Sequence, residues 1–411
     1  MNPVINLERL RRDLEELSRI GADPRGGVSR PSFSPADLEA RSWFKEKLRQ
    51  AALNIREDGA GNIFGRLEGK QQEPVILIGS HLDTVINGGP FDGSCGVLAG
   101  LECLRTIKEK GLTPFYPVEV VAFTDEEGNI VGDFLGSRAF TGCLREELLR
   151  EGQTHFGRPL KELLEIAGLS PDSILQACNE APQVMAYLEL HIEQGEILDL
   201  EEIPIGLVTR IAGKRLYYGS FVGRSSHAGP TPLELRRDAF LGLADFALRS
   251  TRLVASQYED GRLTIGRVQV HPGAFSIVPG QVDFTLDLRY PEKEKLEEME
   301  KKVLALAEEI ASTRGLAFHY RLVDSTEPTD MSAQLISLLE EEAKDLHYPY
   351  LKMISWAGHD AQILAQITEA ALIFIPSPDG LSHSPEETIR WEDLEKGTNL
   401  LLQTIIKLAR I

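Results

Sequence analysis

The stretch VILIGSHLDT, residues 75–84, decides how the fold is read. Its first four residues, Val75 to Ile78, form an unbroken apolar run rich in β-branched side chains. That is the pattern of a strand buried on both faces. After Gly79 the run turns polar, and His81 and Asp83, two residues apart, share one side of an extended segment. Two further runs of the same kind follow, Val118 to Phe123 and Val184 to Leu190, with helix-like stretches between them at Val97 to Lys110 and Leu160 to Ala167. This alternation predicts an α/β fold, a mixed and largely parallel sheet sandwiched by helices. The same grammar returns late in the chain: helix from Ala333 to Leu346, strand from Ala371 to Pro376, helix from Trp391 to Ala409.

Between these halves the texture changes. Strands are expected at Leu216 to Val222, Leu263 to Val270 and Val282 to Arg289, and helices at Leu233 to Arg249 and Lys293 to Arg314. A β-α-β-β-α order suits an antiparallel sheet with helices on one face. The expected organisation is therefore a catalytic domain of residues 1–212 and 330–411, interrupted by a smaller α+β domain of residues 213–329, with hinges near Ala212 and Thr329.

The chain has 411 residues and a formal net charge of -19. A field of that sign disfavours nucleic acids and anionic membranes as partners. No apolar run approaches the roughly 20 residues of a membrane helix, and Met1 to Asp23 reads as a charged amphipathic helix. Four cysteines, 95, 103, 143 and 178, form no CxxC pair. They read as small core fillers in a reducing compartment, which places the protein in the cytoplasm.

In open parallel sheets ligands bind beyond the carboxyl ends of the strands, and here those ends carry histidines and acids. His81 and Asp83 end the first run, although a polar strand end with a helix cap would account for them as well. In GGPFDG, residues 88–93, glycines let the backbone crowd around Asp92 just before a helix start that favours an anion; taken alone, a capped turn is the plainer account. In FTDEEG, residues 123–128, three consecutive acids repel one another unless a cation is near, the alternative being a solvated loop. With a cation, one of Glu126 and Glu127 can bind it while the other serves as general base. His191 ends a third strand, and His383 follows the strand from Ala371. Three histidines with two acids suit a pair of divalent ions ~3.5–4 Å apart, which would polarise a carbonyl and acidify water. The reaction class is metal-assisted hydrolysis of an amide-like C–N bond. Five of the other six histidines read differently: His155, His319 and His347 as structural or surface residues, His271 and His227 as loop residues.

From Gly79 to Glu387 the sequence resembles the hydantoinase/carbamoylase amidases, a branch of the dinuclear aminoacylase and carboxypeptidase superfamily. The resemblance lies in ordered motifs: GSHLDTV (79–85), GGPFDG (88–93), FTDEEG (123–128), GSRA (136–139), LHIEQG (190–195), HAGPTP (227–232), AGHDA (357–361) and SHSPEE (382–387). It implies His81, Asp92 (bridging), Glu127, His191 and His383 as ligands of two divalent ions, zinc or manganese, with cobalt or nickel also compatible. It further implies Glu126 as general base and Asp83 as the residue orienting His81. Histidine at 191, where the peptidases carry an acid, points to the amidase branch. By the same resemblance the inserted domain pairs two subunits into a homodimer and closes over a small-molecule ureido or carbamoyl acid. His227 of the partner subunit then meets the oxyanion. Arg289 would hold the substrate carboxylate, as a bidentate guanidinium does well, and Gln194 and Gly358 match substrate-contacting positions. Ser276 stands where the family usually has Asn, and its single donor and shorter reach leave the carboxylate geometry, and even the substrate class, open. The activity implied is hydrolysis of an N-carbamoyl-L-amino acid to the amino acid, CO2 and ammonia. Allantoate amidohydrolysis is the alternative, then β-ureidopropionate or peptide hydrolysis, and outside catalysis an inactive binding homologue.

Overall fold

The run from Val75 extends as a seven-residue strand through His81, buried along its whole length. The computed structural model describes residues 3–150 and 159–411, and the chain divides into two units, Met1–Thr209 with Asp330–Ile411, and Arg210–Thr329.

The first unit is built on one large sheet. Its strands lie in the order Asn54–Glu57, Ile63–Leu67, Val118–Phe123, Val75–His81, Val184–Ile192, Glu369–Ile375, Ile205–Ile211 and Thr329–Asp330, with Tyr350–Ser355 also paired to Ile205–Ile211. The four strands from Val118–Phe123 to Glu369–Ile375 are parallel, and their outer neighbours run antiparallel to them. This is the mixed, largely parallel α/β sheet expected from the sequence. Chain connections leave Val75–His81 toward Val118–Phe123 on one side and Val184–Ile192 toward Glu369–Ile375 on the other. The switch point, where open α/β sheets place ligands, thus falls between strands ending in His81 and His191. Ile78 pairs with Leu188, so the same register carried forward brings the two histidines level. Gly79 makes this possible: its φ of +148° is open to glycine, and a Cβ there would collide with the Val121 carbonyl.

Successive strand residues face opposite sides, so Ile76 and Ile78, with Val118, Val120, Leu188 and Leu190, join one core with Leu101 and Leu104 of the helix Ser94–Glu109 and Leu401 and Ile405 of the helix Trp391–Leu408. Each such aliphatic side chain contributes about 1.5–3 kcal/mol on burial, which makes the strands a rigid base for whatever their ends carry. Leu135, Leu160, Leu164 and Ile174 of the short helices between 135 and 176 form a second apolar cluster.

The second unit has an antiparallel sheet ordered Val268–His271, Gln281–Tyr290, Gly213–Val222, Ala317–Thr326, with Arg262–Thr264 also on Gln281–Tyr290. Val282, Phe284, Leu286 and Leu288 alternate inward and pack with the helices Ala239–Gln257 and Lys293–Arg314. Three details differ from the sequence reading. The helix expected from Leu233 begins at Ala239, because the Asp238 carboxylate caps the amides of Phe240 and Leu241 while Leu233–Leu235 form a separate short turn after Pro232. The strand expected from Leu263 to Val270 is two pieces. Ala317–Thr326 is a strand that the sequence reading lacks. Of the cysteines, Cys95 and Cys103 are core residues but Cys143 is exposed, so core filling does not explain it. Among the described residues no helix is long and apolar enough to cross a membrane.

Candidate metal centre

Four neighbouring parallel strands deliver their carboxyl ends to one place in the first unit. Val75–His81 brings His81, Val184–Ile192 brings His191, the turn after Val118–Phe123 brings Glu126 and Glu127, and the loop after Glu369–Ile375 brings His383. Asp92, from the turn before the helix Ser94–Glu109, stands in the middle. Its Oδ1 lies 3.1 Å from His191 Nε2 and 3.4 Å from His81 Nε2, and its Oδ2 lies 3.5 Å from His383 Nε2. His383 Nε2 is also 3.5 Å from Glu127 Oε1, and Glu126 Oε2 is 3.6 Å from His81 Nε2. The donors fall into groups each able to hold one ion: His81, Asp92 and His191; Asp92, Glu127 and His383; His81, Glu126 and Glu127. Asp92 turns a different oxygen to each of the first two, as a bridging carboxylate does.

Main-chain contacts set the ring orientations. His81 Nδ1 is 3.0 Å from the Asp83 carbonyl oxygen and His191 Nδ1 is 2.9 Å from the Ile192 carbonyl oxygen. Each Nδ1 therefore donates and leaves an Nε2 lone pair on the Asp92 side, bare in His81 and accepting the Gly93 amide at 3.1 Å in His191. The Asp83 carboxylate, 3.7 Å from the His81 ring, accepts the main-chain amides of Glu126 and Glu127 instead. The third acid of that turn, Asp125, faces away on a left-handed backbone, φ +54°, and accepts the amides of Asn129 and Ile130. It closes the turn that presents its two neighbours.

The charges explain why such a group wants a cation. Burial pushes the carboxyls of Glu126 and Glu127 up, helped by the Glu127 charge at Glu126 and by the Asp92 charge at Glu127, that of Glu127 to about 8. Burial would raise Asp92 as well, but His191, His383 and His81 hold it well below the usual carboxylate range. His383 is raised to about 9, first by its contact with Asp92. His81 Nε2 is buried and makes no hydrogen bond. An orphaned imidazole nitrogen facing several carboxylates fits a divalent ion, and the mixed N/O donor set suits zinc, manganese, cobalt or nickel.

Residues 77–407 match the model of peptidase family M20/M25/M40. The chain belongs to that family. It is 38% identical over 406 residues to the N-carbamoyl-L-amino-acid amidohydrolase of Paenarthrobacter aurescens, covering 98% of both chains. To the allantoate amidohydrolase of Bacillus subtilis it is 33% identical, covering 96% of both. Its fold is similar, with a TM-score of 0.87 and 33% identity, to the crystal structure of a hydantoinase/carbamoylase family amidase from Burkholderia multivorans, covering 99% of this chain and 98% of that one. The hydantoinase/carbamoylase resemblance seen in the motifs is thus borne out.

Within this M20 chain the other expected residues fall in two places. Gln194, in the first unit, sits at φ +60° with Nε2 2.6 Å from Asp92 Oδ2, so it is hydrogen-bonded to the central carboxylate. Gly358 is where a Cβ would meet Phe134 Cζ at 2.6 Å. In the second unit His227 is exposed, on a two-residue strand whose partner is Ile277, and the carbonyl oxygen of Ser276 accepts the Ala228 amide at 2.8 Å. Arg289 is on the sheet face opposite the helices and donates to Asp287, Nη2 to Oδ2 at 2.8 Å. His319 and His347 are exposed, and His271 pairs with Asp283 at 3.0 Å. His155 lies outside the described residues.

The sequence reading assigned nothing to several buried groups around this M20 site. His359 meets His191 edge to face, ring centroids 4.5 Å apart, and burial together with His191 keeps it neutral. Glu189 accepts from Ser80 Oγ at 2.6 Å and the Ala361 amide at 2.8 Å. Two residues before His191 on a strand, it shares that face, a periodicity that was available to find it. Asp360, fully buried, is raised to about 8, mainly by burial. Arg30 is fully buried and donates to the carbonyl oxygens of Leu82, Leu17 and Ile20 and to Ser94 Oγ. It knits the His81–Asp83 turn to the start of the helix behind Asp92.

Proposed function

We propose that the chain hydrolyses N-carbamoyl-L-amino acids to the amino acid, CO2 and ammonia. The observation that carries this reading is the arrangement around Asp92, one oxygen toward His81 and His191, the other toward His383, with Glu126 beside them. His81, Asp92, Glu127, His191 and His383 would hold two divalent ions, zinc or manganese. When bound, these polarise the carbamoyl carbonyl and acidify water. Glu126 accepts the proton of the attacking water and passes it to the amino-acid nitrogen as the C–N bond breaks, a transfer within reach of a carboxyl held above its ordinary value. The carbamic acid left behind falls to CO2 and ammonia.

His227, Ser276 and Arg289 are assigned from the second unit and Gln194 and Gly358 from the first. His227 accepts the Gly229 amide at Nδ1, 3.1 Å, which leaves Nε2–H as the donor to an oxyanion. Arg289 binds the substrate carboxylate, with Ser276, Gln194 and Gly358 completing recognition. Leu233, Leu235 and Phe275 are 75%, 63% and 110% exposed near the His227 strand. Such apolar exposure, with the outer strand Ala317–Thr326, supports a homodimer in which His227 of the partner subunit completes each site. The region 213–329 is accordingly a dimerisation and lid domain. Free cysteines and the charge of -19 support a cytoplasmic setting.

Allantoate is the second reading, favoured by the 33% identity to an allantoate amidohydrolase. An acid replaces His191 in peptidases, which disfavours a peptide substrate, and an intact Glu126 with all five ligands disfavours an inactive homologue. The test is ammonia release by manganese- or zinc-loaded protein on a panel of N-carbamoyl-L-amino acids and on allantoate. Faster turnover of carbamoyl amino acids supports the proposal. A preference for allantoate replaces it with the second reading, and inactivity on the whole panel rejects both.

A further inference from the structure

Glu387 ends the SHSPEE motif, four residues after His383, and is 5% exposed. Its Oε1 accepts two successive main-chain amides of the other loop, Phe91 at 2.7 Å and Asp92 at 3.1 Å. Its Oε2 lies 3.2 Å from Ser382 Oγ, and that hydroxyl lies 2.8 Å from Asp92 Oδ2, so one proton serves both carboxylates. The Glu387 amide donates to the Ser384 carbonyl oxygen at 3.1 Å, which folds 382–387 into a single turn. A Cβ on Gly89 would collide with the Glu387 carboxylate, so the Asp92 loop is cut to receive it.

The two halves of the ligand group are anchored differently. His81 and His191 sit on adjacent parallel strands and are each paired within the sheet, His81 opposite Phe123 and His191 opposite Phe374. His383 comes from a loop, on a left-handed backbone with φ +54°, and its side chain is 48% exposed. Its distance from Asp92 is set by whatever ties that loop to the Asp92 turn, and Ser382 and Glu387 form such a tie from either side of it.

We propose that Glu387 is a positioning residue, a latch between the Asp92 turn and the His383 loop that fixes the Asp92–Glu127–His383 half of the centre and leaves the His81–Asp92–His191 half to the sheet. This rests on the two-ion reading above. Outer partners that orient ligands typically change metal affinity by about 10–100-fold when removed.

The experiment is a Zn2+ titration of the full-length, metal-stripped protein against a chromophoric chelator, with circular dichroism of each stripped variant alongside. Wild type takes up two equivalents. Glu387→Ala keeps the first within about threefold of wild type and loses roughly 10–100-fold on the second, while Glu387→Gln, which can still accept both amides, regains most of that loss. Should Glu387→Ala not fold, Glu387→Asp, whose carboxylate is drawn back by one methylene, carries the same expectation. An unchanged second equivalent, or equal weakening of both, overturns the latch while two-ion binding stands. A wild-type curve with a single equivalent overturns the two-ion reading and the latch together, so the wild-type curve separates the two failures.

Discussion

The carboxylate of Asp83 accepts the main-chain N–H of Glu127 at 3.2 Å, and that of Glu126 at 3.4 Å, while the Asp83 carbonyl oxygen holds His81 Nδ1 at 3.0 Å. One residue therefore ties two neighbouring strand ends into a fixed relation, with its side chain serving the acid turn and its main chain serving the imidazole. A carboxylate can accept both amides, whereas an asparagine would turn a donor toward one of them. Asp83→Asn is expected to weaken metal binding about 10–100-fold and to lower kcat/KM with it. Metal analysis after dialysis checks this, and full wild-type metal content would contradict it.

Glu126 is proposed to move protons rather than to hold metal. Glu126→Gln keeps the shape and removes the base, so kcat should fall by roughly 10²–10⁴-fold with the metal content unchanged. Turnover close to wild type would assign the base elsewhere.

Burial raises Glu127 and Asp360 to about 8 and Glu387 to about 7, and the contact with Asp92 raises His383 to about 9. A raised carboxyl binds its proton more tightly folded than unfolded, so it costs stability increasingly as pH climbs from its unfolded value to its folded one. A raised histidine adds stability that is complete below its unfolded value, about 6.5, and is lost as pH rises through 9. Both signs agree. Metal-stripped protein should melt at steadily lower temperature from about pH 5 to pH 9, and added zinc should restore more at pH 8 than at pH 6, because it competes with these protons. Melting curves in chelator across that range are the check; a flat or rising Tm would refute it.

Arg289 donates from Nε and Nη2 to Asp287, and in the proposed reading its guanidinium also meets the substrate carboxylate. Arg289→Leu should raise KM for ureido acids by roughly 10–100-fold, the loss of one charged hydrogen-bonded contact, with a smaller change in kcat. An unchanged KM in steady-state kinetics removes the residue from substrate binding.

Gly93 follows the central aspartate at φ +62°, and a Cβ there would strike the His81 ring at its Nε2 edge. Gly93→Ala should abolish stoichiometric metal uptake while leaving the far-ultraviolet dichroism of the stripped protein close to wild type. Isothermal titration with Zn2+ would show it, and wild-type uptake would mean that the ring can swing aside.

The strand ends were legible because residues buried on both faces of a parallel sheet must be apolar throughout, so the first polar residues after Ile78, Phe123 and Leu190 stand out. Other features carried no such contrast. Ala317–Thr326 is the outer strand of its sheet and largely exposed, leaving little alternation to read. Leu233 and Leu235 have the apolar character of a helix face, but the cap that decides the start is Asp238. An arginine between Ser29 and Pro31 reads as surface, and nothing local says that Arg30 will be buried among carbonyl oxygens. His359 and Glu189 belong to the site by packing against residues distant in sequence, and pairing of that kind leaves no short-range pattern.

The strand Glu369–Ile375 lies between Val184–Ile192 and Ile205–Ile211, which precede it in the chain by more than a hundred and fifty residues. During synthesis those two strands emerge early and have no neighbour to close the space between them. The region 210–329, a compact unit contiguous in sequence with its own apolar core, leaves the ribosome next. Only with the last few dozen residues does the missing strand arrive, carrying His383 just behind it. A nascent chain therefore holds an open sheet with two bare edges for more than a third of its translation, and it acquires the last proposed ligand and the closing strand in a single late step.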